Sequence, residues 1–79
     1  MQTATETRLE ASVSYKDGLF VARIAGYSAS AHDPYNAARQ VGEKAKADMC
    51  GEWEVDEVNW AGLGAGFERY DVTLRSIEA

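Results

Sequence analysis

Leu9-Glu10-Ala11-Ser12-Val13-Ser14-Tyr15-Lys16-Asp17-Gly18-Leu19-Phe20-Val21-Ala22-Arg23-Ile24 is the stretch that decides the fold of this chain. Up to Tyr15 its apolar residues alternate, with Glu10, Ser12 and Ser14 between them, which is the period of a strand with one buried face. Asp17-Gly18 then interrupts the pattern. Both central residues of a type I′ turn need positive φ, and this pair supplies them readily. A two-residue loop sets the register, with Tyr15 opposite Phe20, Val13 opposite Ala22 and Ala11 opposite Ile24. All six then share one face, so turn chemistry and hydrophobic pattern agree.

Working outward, the second strand is expected from Leu19 to about Ala31, bent at Gly26. Asp33-Pro34 starts a helix, with Asp33 as N-cap and Pro34 at the first helical position. Ala38, Val41, Gly42, Ala45 and Met49 recur at helical spacing, while Asn36, Arg39, Gln40, Glu43, Lys44 and Lys46 point away. Those buried positions are small, so the helix should lie close to the sheet. Gly51 reads as its C-cap. Glu52 to Trp60 reads as a third strand in which the apolar phase slips near Asp56-Glu57, the mark of a β-bulge. Ala61 to Gly66 is a glycine-rich loop, and Phe67 to Ile77 is a fourth strand with Tyr70, Val72 and Leu74 inward. The expectation is an α+β domain of order β-β-α-β-β, an antiparallel sheet with one helix on one face. Residues 9–79 form that domain, and residues 1–8 a flexible N-terminus.

At 79 residues the chain has material for one domain. A domain of this size buries about 60% of its unfolded surface, leaving little stability for a strained catalytic pocket. No run approaches the roughly 18 apolar residues of a membrane span. The polar start, Met1 to Arg8, lacks the apolar stretch of a signal peptide. Cys50 is the only cysteine, so no intrachain disulfide can form. A reduced, cytoplasmic protein is the expectation.

Charge is unevenly distributed. Residues 1–51 are balanced, and the whole net charge of −5 lies in residues 52–79, where seven acids face only Arg69 and Arg75. Phosphate-binding surfaces are basic, which argues against direct nucleic-acid binding. Strand alternation puts Glu52, Glu54 and Asp56 on one face about 7 Å apart, with Glu57 beside them. That ladder suits a basic groove on a protein partner; the plainer reading is a solvated face that discourages aggregation. Glu68 and Asp71 on the next strand extend the acidic surface. Trp60, beside the loop, fits either a core position of the bulged strand or a binding anchor, and Trp53 reads as core. The expected partner-binding set is Glu52, Glu54, Asp56, Glu57, Trp60, Glu68 and Asp71, on a monomer or homodimer.

Other chemistry finds little footing. Gly62-Leu63-Gly64-Ala65-Gly66 joins two strands with no lysine following, unlike a phosphate-binding loop. Ser30, His32 and Asp33 include the residue types of a hydrolase triad, but neighbours before a helix cap do not converge on one reacting atom. His32 has no second ligand at metal spacing. Cys50, near the end of the helix, reads as a structural thiol. The expectation is no enzyme, no cofactor and no metal.

The segment Gly26-Tyr27-Ser28-Ala29-Ser30-Ala31-His32-Asp33-Pro34-Tyr35-Asn36-Ala37-Ala38 resembles small phage anti-CRISPR proteins that act on type I systems. A strand ending in small residues, an Asp-Pro cap and an Ala-rich helix carry the resemblance, over a third of the chain. It implies an inhibitor that binds an RNA-guided surveillance complex, or its nuclease, and blocks nucleic-acid engagement. Alternatively, the helix followed by Val58-Asn59-Trp60 and Tyr70-Asp71-Val72-Thr73-Leu74 is similar to dodecins, which bind flavin in oligomeric shells. The leading hairpin departs from their β-α-β-β order. A hairpin before a helix is also similar to HicB-like antitoxins, though their separate DNA-binding segment is absent here.

Overall fold

Asp17 and Gly18 adopt φ of 53° and 81° in a computed structural model of the protein, which describes residues 5–77. Their turn joins β1 (Glu6–Lys16) to β2 (Leu19–Ile24), with Tyr15 paired to Phe20 and Val13 to Ala22. The Tyr15 and Phe20 rings meet edge-on, centroids 4.9 Å apart. β1 starts earlier than the alternation from Leu9 suggests. A later strand pairs along its other side, from Glu6 opposite Arg75 to Val13 opposite Glu68, and draws residues 6–8 into the sheet. Of the expected N-terminal tail, residues 1–4 lie outside the described residues.

The stretch after β2 corrects the expected order. Instead of one bent strand, Ile24 pairs directly with Tyr27, so Ala25-Gly26 is a tight reversal leading to β3 (Tyr27–Ala31). Ala25 takes a φ of 51°, uncommon for a residue with a side chain. Three strands therefore precede the helix, and the order is β-β-β-α-β-β. The reversal keeps Phe20, Ala22 and Ile24 on the same face as Tyr27, Ala29 and Ala31, because paired residues share a face.

Helix α1 (Pro34–Ala45) begins as its cap chemistry dictates, the Tyr35 backbone N–H donating to Asp33 Oδ1 at 2.8 Å. Ala37, Ala38, Val41, Gly42 and Ala45 are buried. The helix tightens into a 3-10 turn over Lys46–Asp48, so Lys46 rather than Gly51 is the C-cap. Met49 packs against the core from beyond the helix.

β4 (Trp53–Leu63) and β5 (Glu68–Ser76) complete one antiparallel sheet of order β3-β2-β1-β5-β4, with α1 across one face. The bulge falls at Asp56 as the phase slip implies, since Val55 faces Leu74 and Glu57 faces Thr73. A second bulge at Ala61 carries β4 on to Leu63, so the glycine-rich loop is shorter than expected. Gly64 N–H donates to the Phe67 carbonyl at 2.8 Å and closes it. Leu74, Val13, Val41 and Val72 form the centre of the core. Each contributes about 1.5–3 kcal/mol by leaving water.

Because Val13 lies opposite Glu68, the Asp17-Gly18 turn and the 64–67 turn project from the same end of the sheet. Helix α1 starts near that end and runs back from it. The fold is elongated, with extents of 47 × 21 × 19 Å. Among the described residues, no helix is long and apolar enough to cross a membrane.

Candidate functional site

Alternation sends every second residue of β1, β4 and β5 to the sheet face opposite α1. There the acidic side chains meet arginines of neighbouring strands. Glu54 lies opposite Arg75, whose Nη2 donates to Glu54 Oε1 at 2.8 Å. That bond, then the Asp56 and Glu54 charges, hold the Arg75 guanidinium above its ordinary pKa. Diagonal pairs join Arg8 to Asp71 at 3.8 Å and Arg69 to Glu10 at 3.9 Å. Diagonal neighbours on a sheet are within reach of such long side chains. The open face is therefore a checkerboard of both signs.

The expected ladder of Glu52, Glu54 and Asp56 is altered in its spacing by the bulge, though the Asp56 charge still acts on Arg75 together with that of Glu54. The Asp56 bulge shifts the phase, and Glu57, opposite Thr73, takes the next place beyond Glu54 on the open face. Glu52 precedes the strand, is exposed, and accepts the Ile77 N–H on its carbonyl at 3.0 Å. Glu57 accepts from Asn59 Nδ2 at 3.0 Å. Among the described residues Glu54 and Asp71 are ion-paired, whereas Glu52, Asp56, Glu57 and Glu68 have no cation within salt-bridge distance. Asp56 and Glu57 lie on β4 and Glu52 just before it, and β4 is paired only with β5 and forms one edge of the sheet; Glu68 lies on β5.

The other face holds a second group of residues where the sheet runs past the start of α1. Trp60 lies opposite Tyr70, and Leu63 opposite Glu68. Trp60 is 53% exposed, Leu63 72%, Tyr15 65% and Tyr35 46%. The Tyr35 ring meets Tyr70 edge-on, with centroids 5.1 Å apart. Amid these side chains stands the half-buried Glu68. Its Oε1 accepts from Trp60 Nε1 at 3.1 Å and from the Tyr70 hydroxyl at 3.3 Å. Burial first, and then the Glu68 charge, push the Tyr70 hydroxyl up to about 12, so it remains a proton donor. Between the hairpin ends lies a shallow depression of about 450 Å³, lined by Val13, Tyr15, Leu63, Gly64, Phe67 and Glu68 among others.

Trp53 packs against the core as expected, and its Nε1 donates to the Cys50 carbonyl at 2.8 Å. The Asp33 carboxylate caps α1, and no hydrogen bond joins it to His32 or Ser30 among the described residues. Cys50 is exposed and free. No group of three or more His, Cys, Asp or Glu among the described residues could hold a metal ion. Trp60 and Glu68 belong to the set expected from the sequence, whereas Tyr15, Tyr35 and Leu63 at the same end of the sheet do not. Leu63 carried a signal, since a lone leucine between glycines is an apolar residue with no core position to fill. No family model, curated protein or solved structure matches this chain.

Proposed function

We propose that this chain is a non-enzymatic interaction protein that occupies a basic surface on a protein partner, of the kind that otherwise holds nucleic acid. The observation that carries this reading is the β4 edge, where Glu52, Asp56 and Glu57 lie without ion-pair partners among the described residues and Trp60 stands exposed further along the same strand, on the helix-side face. Unpaired carboxylates attract a basic surface over distance and speed association, while an aromatic anchor holds the complex once water is expelled. The same acids discourage two copies from pairing edge to edge, which favours a monomer over a homodimer. The net charge of −5 disfavours direct contact with nucleic acid. An inhibitor of an RNA-guided complex in the host cytoplasm, as the phage-protein resemblance implies, is the most specific form of this proposal. The flavin-storing alternative has less support, because three strands rather than one precede the helix.

The test compares wild-type protein with Glu52→Lys/Glu57→Lys as bait in a bacterial lysate. Both side chains are exposed and free of ion pairs, so the variant should fold normally. Wild type should retain a nucleic-acid-handling protein that is released by salt, since screening acts over about 8 Å at physiological ionic strength. Equal retention by the variant would overturn the proposal, as would a retained partner with no basic surface.

A further inference from the structure

Glu68 differs from the other carboxylates in its surroundings. The side chains beside it are aromatic or apolar, and its own strand places it opposite Leu63 on one side and Val13 on the other. Both of its hydrogen bonds, from Trp60 and Tyr70, fall on one oxygen, Oε1. Oε2 has no partner among the described residues, and no cation pairs with the group. The indole of Trp60 is half exposed and tethered through its Nε1, which fixes the ring beside the carboxylate. Tyr35 continues the aromatic wall by its edge-on contact with Tyr70. A carboxylate stripped of part of its water, with one oxygen free and aromatic rings around it, is arranged to receive a cation.

We propose that Glu68, Trp60, Tyr70 and Tyr35 form a cradle for one arginine side chain of the partner. This rests on the interaction reading above and names the contact that would anchor it. A guanidinium suits the site better than an ammonium. It is planar and weakly hydrated, it stacks on aromatic rings, and it donates charge-assisted hydrogen bonds to a carboxylate. The bond from Trp60 and the bond from Tyr70 hold the carboxylate in place before the partner arrives, so little ordering is needed on binding. Leu63, exposed at the rim, would cover the methylene stem of the arginine.

The experiment follows the two indole N–H resonances of isotopically labelled full-length protein, with the Trp60 signal assigned by Trp60→Phe. The probe is the capped tripeptide Gly-Arg-Gly; the control is the same peptide with citrulline, which keeps the shape of arginine without its charge. The Trp60 resonance should shift saturably with the arginine peptide, with a Kd on the order of 10 mM for a single contact. It should not move with citrulline, and the Trp53 resonance should stay still. Glu68→Gln keeps an oxygen to accept from Trp60 and Tyr70 but removes the charge, and should weaken binding about tenfold or more. An equal shift with citrulline, or undiminished binding by a folded Glu68→Gln protein, overturns the cradle, and so does the absence of any shift with the arginine peptide. If Glu68→Gln does not fold, the contrast between arginine and citrulline on wild type still decides. The probe is independent of the lysate partner, so failure here leaves the acidic-edge reading to its own test.

Discussion

Substituting Gly42 by alanine sets two effects of opposite sign against each other. A Cβ built at Gly42 lies 2.7 Å from Val72 Cγ1 and 3.4 Å from Val55 Cγ2. Ordinary carbon contacts fall at about 3.5–4.0 Å, so something must move by about 1 Å. Val72 is fully buried and β-branched, so its χ1 is restricted and it yields only against its packed neighbours. Overpacking of this kind costs about 1–3 kcal/mol. Alanine in place of glycine within a helix returns about 0.8–1.0 kcal/mol. The expected balance is a net loss of about 1 kcal/mol, seen as a drop in Tm of roughly 4–8 °C for a domain of this size. In a Val72→Ala background the obstructing methyl is gone, and Gly42→Ala should become stabilising. The coupling between the two positions should then be about 2 kcal/mol, within the usual range for residues in contact. Equilibrium denaturation followed by tryptophan fluorescence reads all four corners of the cycle. If Gly42→Ala stabilises by the helix-propensity term alone in both backgrounds, the close approach of α1 to β5 is wrong.

Gly18→Val should destabilise the fold by about 1 kcal/mol or more, since the φ of 81° resists a β-branched residue although no atom obstructs it. Ala25→Asn should raise stability by about 0.5 kcal/mol, because asparagine accepts the φ of 51° more readily than alanine; thermal melts check both substitutions. Glu54→Lys should lower Tm more than Glu57→Lys, because it sets an ammonium against the Arg75 guanidinium that Glu54 now accepts from; equal melting temperatures would mean that the pair adds nothing to the sheet. At alkaline pH the Tyr70 hydroxyl keeps its proton to about 12 in the fold, against 10.0 when unfolded, so the fold binds more protons between those values. Stability should therefore fall as pH rises from about 10 to about 12, and Tyr70→Phe should flatten that decline in chemical denaturation measured across the range.

The parts of the fold that were legible in advance each depend on neighbouring residues. Asp17-Gly18 turns the chain because both residues tolerate positive φ, and the alternation on either side leaves one register that buries Val13 and Ala22. Asp33 caps the helix through a bond to Tyr35, two residues away. The phase slip at Asp56-Glu57 gave away a bulge, since an extra residue must change which face its successors occupy. The reversal at Ala25-Gly26 left the same kind of mark, the apolar set passing from Phe20, Ala22 and Ile24 to Tyr27, Ala29 and Ala31. A slip of one residue can mean either a bend or a two-residue turn, and Ala25 is not a residue that announces positive φ.

The acidic surface divides along the same line. That its charge is concentrated in residues 52–79 is a property of the sequence alone, whereas the choice between core and surface for Trp60 was open there and its exposure is decided by the fold. Which carboxylates stand free is decided across strands. Asp71 is met by Arg8, which lies 63 positions earlier in the chain, and Glu54 by Arg75. The sheet order β3-β2-β1-β5-β4 brings the first strand beside the last and leaves β4 at an edge. No local spacing encodes that pairing, because it depends on which strands can bury their apolar faces together beneath one helix. The same closure gathers Tyr15, Tyr35, Trp60 and Leu63 at one end of the sheet, with Glu68 among them.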